Sequence, residues 1–301
     1  SVVLSHLGPG LTNAATGVAN ASLDSIPMVV IAGDIPSHYY GKHPHQEINL
    51  HADAAQWEVY RPFVKRAWRV ERPDLFPEII EKAFQLAESG RPGPVLVSVP
   101  MDIFSKEIDT ALFDRLRPHT RRLEKPSLDE NVARRIIQTL IDARQPVIYA
   151  GGGVMLADAA RELEDLVDHL GIPVAHSLMG KGVLRDDHDL TLGMTGFWGT
   201  QFVNDMCRTA DVVIGLGTRF AEADCSSWDN RYTFSFPPTR LIHIDIDPSE
   251  IGRNYPAEIG AVADLRQALV ALNRVAREML PEARRNEAMR GRIAQYRKEF
   301  A

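Results

Sequence analysis

The sequence predicts an α/β protein of two parallel-sheet, three-layer units, the second of them Rossmann-like. Three observations carry this. Short apolar runs such as Met28–Ala32, Pro94–Pro100 and Val212–Gly217 are continuous rather than alternating, the pattern of strands buried on both faces. Segments with helical apolar spacing lie between them. Several runs end in glycine or a short polar residue, at Gly8, Gly33, Gly151, Ser177, Gly217 and Asp245, the strand ends where open parallel sheets bind ligands. The chain has 301 residues, and at roughly 150 residues per domain that length fits two units.

In order, Val2–Leu4 reads as a buried strand already under way, and Gly8-Pro9-Gly10 as a turn. Thr12 or Asn13 is the expected cap of a helix over 13–25. Met28–Ala32 is a buried strand ending in Gly33, and 34–51 a polar loop with His38, His43, His45 and His51. A mixed segment reaches Val70, an amphipathic helix runs over 73–89 with Gly90 as its stop, and Pro94–Pro100 is a third strand. Residues 1–105 form the first unit. The charged stretch 106–125 lacks periodicity and reads as a linker, closed by Pro126 and a capping box Ser127-Leu-Asp-Glu130. The second unit covers 126–281. It has a helix over 131–143, a strand Pro146–Ala150 running into Gly151-Gly152-Gly153, and a helix over 156–170 stopped by Gly171. Strands follow at Pro173–Ser177, Val212–Gly217, Leu241–Asp247 and Ile259–Asp264, with a helix ending near Thr209 and a strongly amphipathic one over 265–280. Residues 282–301 read as a helical linker. There is no initiator methionine and no signal-peptide pattern, and both ends read as cut from something longer.

Composition excludes several classes. Acidic residues number 40 against 34 basic, a net charge of −6, so no basic footprint for nucleic acid or anionic membrane exists. No apolar run approaches the ~20 residues that cross a bilayer. Two cysteines, Cys207 and Cys225, are too few for a disulfide framework and fit a reducing, cytoplasmic setting. His43, His45 and His51 lack paired cysteines or an H-E-x-x-H frame, so a solvated loop is expected and no metal site. The triple glycine follows a strand but lacks the third glycine of G-x-G-x-x-G, since Leu156 stands there. On its own it fits a dinucleotide loop or a tight turn. Gly217-Thr218-Arg219 adds a cation for phosphate, and Asp245 an acceptor for a ribose hydroxyl or a helix cap.

Gly8-Pro9-Gly10-Leu-Thr12-Asn13 with 19–33, Gln46-Glu47, and 89–102 together resemble the second half of the pyrimidine-binding domain of thiamine-diphosphate-dependent enzymes. The similarity is greatest to the acetolactate synthase group. Pro146–Gly153, Leu178–Gly182, Gly193–Gly196, Gly217–Phe220 and His243–Asp247 resemble that group's central domain, in the same order. The resemblance implies an enzyme whose cofactor carbon adds to a 2-keto acid, with decarboxylation and carboligation, and a homodimer or homotetramer. It assigns Pro9, Asn13 and Gln46 to the aminopyrimidine. It assigns Asp24, Arg91, Gly151, Gly152, Gly153, Leu178, Met179, Gly217, Arg219, Asp245, Ile246 and Asp264 to FAD or another nucleotide. Ala221–Asp224 departs from the group's acidic pair and second arginine, and Asp34 stands where glutamine is common. FAD, another adenine nucleotide and an empty fold therefore stay open. The activating glutamate lies upstream of this pattern. The Mg²⁺-diphosphate motif Gly-Asp-Gly…Asn lies downstream, and no Gly-Asp-Gly occurs here. The chain alone is therefore expected to lack turnover, and residues 282–301 to lead toward a diphosphate-binding domain. A non-catalytic nucleotide-binding or assembly module is the alternative, and a nicotinamide oxidoreductase is disfavoured.

Overall fold

The computed structural model describes residues 1–48, 56–116 and 124–300, which divide into two compact units at Leu123/Glu124. His51 and most of the end of the expected linker lie outside the described residues.

The first unit holds β1 (Val2–Ser5), α1 (Pro9–Leu23), β2 (Met28–Asp34), β3 (Ala67–Arg69), α2 (Phe76–Glu88), β4 (Pro94–Pro100), α3 (Met101–Phe104) and α4 (Ala111–Arg115). Its sheet is parallel throughout, in the order β1-β2-β4-β3. Every residue of β4 is buried, because it is an inner strand covered on both faces. Val29, Val95, Val97 and Val99 pack on one face with Ala83 and Ala87 of α2. Val30, Ala32 and Leu96 pack on the other with Leu11 and Val18 of α1. Each buried valine or leucine among them contributes about 1.5–3 kcal/mol.

Four expectations are corrected here. β1 is an edge strand, so Val2 and Leu4 are exposed rather than buried. Gly8-Pro9-Gly10 is no free turn, because α1 starts at Pro9, whose fixed φ suits a first helical position. Neither Thr12 nor Asn13 caps it. Gly8 is the cap without a side-chain bond, and Thr12 Oγ1 donates to Gly8 O at 3.2 Å. A three-residue strand, β3, emerges from the mixed segment; it is too short and too half-buried to carry a period.

The second unit runs through α5 (Glu130–Asp142), β5 (Pro146–Ala150), α6 (Gly152–Leu156), α7 (Ala160–Leu170), β6 (Val174–His176), β7 (Thr191–Met194) and α8 (Gln201–Arg208). It continues with β8 (Val212–Leu216), β9 (Arg240–Asp245), β10 (Ile259–Val262), α9 (Leu265–Met279) and α10 (Glu287–Phe300). The parallel sheet has the order β10-β9-β8-β5-β6-β7. The strand order reverses beside β5, the doubly wound arrangement. Asp129 caps α5 by accepting from the Asn131 and Val132 amides, and Ser127 instead reaches Gln267 O, so the capping box does not form. The helix expected over 156–170 forms as α7 from Ala160, and the short α6 precedes it, the two separated where Asp158 turns to φ 52°. Gly171 ends α7 in the left-handed conformation at φ 64°. β7 was not expected; Gly193 interrupts its apolar run, and the β6–β7 register shifts at Val174/Ala175. α10 lies on this unit, with Met289 and Ile293 buried, Tyr296 stacked on Phe202 at 4.2 Å, and Arg297 donating to the His188 and Thr191 carbonyls.

Candidate functional site

In the first unit the candidate site is the carboxyl edge of β1 and β2. Pro9 and Asn13 lie exposed on the first turns of α1. Gly8 has φ 57°, and a Cβ there would lie 2.0 Å from Gln46 O. Glycine thus lets the backbone of Gln46, itself at φ 66°, close against the start of α1. Gln46 is therefore brought against the start of α1, next to Pro9, on the helix that also carries Asn13.

Beneath them lies a buried polar network that no sequence pattern marked. Gln56, 5% exposed, accepts from the Gly8 amide at 2.8 Å and donates to Gly33 O at 2.7 Å and Asp34 Oδ1 at 3.1 Å. The buried carboxylate of Asp34 also accepts from the Ile35 amide and Ser98 Oγ, with Arg69 Nε 3.5 Å away. Burial pushes the Asp34 carboxyl up, against the lowering effects of the Ile35 amide, Arg69 and Ser98. Arg69 lies over the Tyr40 ring at 3.9 Å. Tyr60 OH donates to Leu11 O at 2.5 Å, and burial raises its phenol to about 12. Asp24 and Arg91 are also in this unit. Arg91 Nε donates to Ser25 Oγ at 2.9 Å, beside Asp24.

In the second unit the candidate residues gather at the carboxyl ends of β5, β6, β8 and β9. Cβ atoms on Gly151 and Gly153 would meet the Gly217 backbone at 2.2 and 2.7 Å, and one on Gly152 would meet Met179 Cβ at 2.9 Å. The Gly153 amide donates to Gly217 O at 3.0 Å. These glycines serve close packing between neighbouring strand ends. The helix they open, α6, has five residues, so these glycines form a tight strand-to-helix turn. Leu178 and Met179 stand half exposed on the turn after β6. Arg219 follows Gly217, whose φ is 57°. Asp245 is buried and accepts from the Asp247 amide at 2.9 Å, with Ile246 beside it. Asp264 has a structural task, capping α9 through the Gln267 amide and pairing with Lys125 at 2.8 Å.

Side chains that the sequence did not single out hold the Arg219 loop. His243 Nε2 donates to Thr218 O at 2.8 Å, and burial holds its imidazole below the usual range. Asn254 Nδ2 donates to the Arg219 and Phe220 carbonyls at 3.2 and 3.1 Å. Trp228 Nε1 donates to Phe220 O at 2.8 Å from a turn in which Ser226, Ser227 and Trp228 all have positive φ. Asp224 Oδ1 accepts from the Leu178 amide at 3.1 Å, so the divergent segment 221–224 is tied to the β6 turn. A cleft of about 380 Å³ opens beside it, lined by His176, Lys181, Asp186 and Arg297 among others.

Cys207 and Cys225 are free and buried, and burial raises both thiols, so neither is a ready thiolate. Among the described residues no group of three or more His, Cys, Asp or Glu is placed to hold a metal ion. No helix among them is long and apolar enough to cross a membrane.

Comparison with known proteins agrees with this layout. The N-terminal TPP binding domain of thiamine pyrophosphate enzymes matches residues 1–55, and their central domain matches residues 133–272. A probable acetolactate synthase large subunit of Methanocaldococcus jannaschii is 36% identical over 274 residues, which is 89% of this chain and 44% of that protein. The acetolactate synthase of Arthrospira platensis is 37% identical over 89% of this chain and 45% of its own length. The isozyme 3 large subunit of Escherichia coli shows the same two coverages at 37% identity. The chain spans somewhat under half the length of these relatives. With both family domains matched in order on two parallel α/β units, the chain belongs to the thiamine pyrophosphate enzymes and is similar to acetolactate synthase large subunits.

Proposed function

We propose that this chain forms part of an acetolactate synthase-type enzyme that binds thiamine diphosphate with Mg²⁺ and acts on a 2-keto acid as a homodimer or homotetramer in the cytoplasm. The observation that supports the reading is the close approach of Gln46 to Gly8 at the start of α1, the helix that carries Pro9 and Asn13, within a segment matched by the TPP binding domain. The residues fit the cofactor's ring. Gly8 admits the Gln46 backbone where a Cβ would collide, leaving an apolar face at Pro9 and polar groups at Asn13 and Gln46. Bound thiamine diphosphate supplies a carbon nucleophile for the keto group and an electron sink for decarboxylation. The chain's own part is to hold the aminopyrimidine against the start of α1 and to keep that wall rigid, since orientation is what converts binding into rate.

On the second unit, Leu178, Met179, Arg219, Asp245 and Ile246 offer apolar contact, a cation and a carboxylate to an adenine nucleotide, FAD included. Gly151, Gly152, Gly153 and Gly217 bring the neighbouring strand ends into close packing at that edge, where their backbone would meet the nucleotide. Asp264 supports that edge from a helix cap. Asp24 and Arg91 lie in the first unit and are assigned to the nucleotide by the family resemblance alone. A visible spectrum of the purified full-length protein tests the flavin: bands of bound flavin support it, and a colourless folded protein overturns it. Acetolactate formation from pyruvate tests the reaction. The 301-residue polypeptide by itself is expected to show none, and robust turnover by it would overturn that expectation.

A further inference from the structure

We propose that Gln56 is a positioning residue for the cofactor wall, locking the Gly8–Pro9 start of α1 to the end of β2; this rests on the thiamine diphosphate reading above. Gln56 is 5% exposed and its amide makes three hydrogen bonds. Its Oε1 accepts from the Gly8 amide, a group with no partner inside α1 because it precedes the first turn. Its two Nε2 hydrogens go to Gly33 O and Asp34 Oδ1. Only one orientation of the amide satisfies one donor and two acceptors, so the side chain reads the ends of β1 and β2 at once. Two other contacts concentrate on the same turn. The Gln46 carbonyl sits where a Gly8 Cβ would be, and Tyr60, from the same 3₁₀ segment as Gln56, donates to Leu11 O. Asp34, held by the Ile35 amide, Ser98 and Arg69, anchors the far side of the lock.

No other side chain of this size supplies one acceptor and two donors here. In Gln56→Leu the Gly8 amide, Gly33 O and one Asp34 bond lose their partner together. In Gln56→Glu the new carboxylate still accepts from Gly8 but turns an oxygen toward Gly33 O and Asp34, a repulsion relieved only when the carboxyl is protonated.

The test uses both variants in the full-length protein. Amide hydrogen exchange of the segment containing Gly8 is measured without cofactor, and the thiamine diphosphate concentration for half-saturation is measured at about pH 5 and about pH 8. The expected result for Gln56→Leu is faster exchange at Gly8 and a half-saturating concentration raised by on the order of tenfold or more, with keto-acid KM unchanged. Gln56→Glu, whose protonated carboxyl supplies one donor where the amide supplies two, is expected to fall between wild type and Gln56→Leu at the lower pH and to resemble Gln56→Leu at the higher. Folded variants whose Gly8 exchange and half-saturation stay within about twofold of wild type at both pH values overturn the proposal. A wild-type protein that binds no thiamine diphosphate overturns the underlying reading instead. If Gln56→Leu fails to fold, the pH response of Gln56→Glu decides alone.

Discussion

A Cβ at Gly8 would lie 2.0 Å from the Gln46 carbonyl oxygen, and one at Gly196 would lie 1.9 Å from the Ala223 carbonyl oxygen, both on backbones with positive φ. Backbone oxygens cannot step aside as a flexible side chain can. Gly8→Ala and Gly196→Ala should therefore each lower stability by about 2 kcal/mol or more, read from urea unfolding. Gly17 in α1 and Gly291 in α10 have open space around the missing Cβ and ordinary helical backbone. Gly17→Ala and Gly291→Ala should each raise stability by about 0.5–1 kcal/mol. If all four variants shift alike, the steric account of Gly8 and Gly196 is wrong. The turn at Ser226–Trp228 carries three consecutive non-glycine residues in the left-handed region. Each costs roughly 1–2 kcal/mol, a strain held by the Trp228 and Asn254 bonds to the Phe220 carbonyl. Trp228→Phe keeps the ring and removes the N–H donor. It should lower the unfolding midpoint modestly while faster proteolysis appears in the 219–228 loop; an unchanged cleavage pattern would count against the clamp.

At the scale of elements, the strands around Asp34 and the strands around His176 and His243 should respond to pH in opposite directions. In the first, burial raises the Asp34 carboxyl. The folded form then binds the proton more tightly than the unfolded chain. The stability it contributes is full below about pH 4 and is lost as pH rises through the folded value. In the second, burial lowers His176 and His243. The unfolded chain then binds the proton more tightly, and stability present above about pH 6.5 is lost as pH falls toward the folded values. Hydrogen exchange resolved by segment should show β2 and β4 better protected at acid pH, and β6 and β9 better protected at neutral pH. Asp34→Asn should flatten the first dependence and leave the second. Most strands and long helices were legible in the sequence, because a fully buried parallel strand such as β4 and an amphipathic helix such as α9 print their burial directly onto residue type. β3 and β7 were not, being three- and four-residue elements whose pairing comes from neighbouring strands rather than from their own pattern. The start of α1 was misplaced because Gly8-Pro9-Gly10 looks like a turn, and only the contact with Gln46 shows that Gly8 is needed for close approach while Pro9 opens a helix. Gln56 was invisible for a different reason. Its role depends on three partners far away in sequence, and a single glutamine carries no spacing.

At the scale of the molecule, both parallel sheets carry most of their candidate residues just beyond the carboxyl ends of strands, while Asp24 follows α1 and Arg91 precedes β4. That placement explains why family resemblance could be read from loop glycines and short polar residues such as Gly8, Asn13, Gly217 and Asp245. It also explains why the nucleotide assignment is less direct: at Gly151, Gly153 and Gly217 the same glycines are already required by loop-to-loop packing. The Gly8–Asn13 segment with Gln46 is proposed to form part of a thiamine diphosphate site that acts on a 2-keto acid. The most direct measurement is acetolactate formation from pyruvate by the full-length protein, titrated with thiamine diphosphate in Mg²⁺, for wild type and Asn13→Ala. The account predicts turnover that depends on added cofactor, with Asn13→Ala requiring more cofactor for half-maximal rate. A folded full-length protein that turns over no 2-keto acid at saturating cofactor, or an Asn13→Ala variant indistinguishable from wild type, would contradict it.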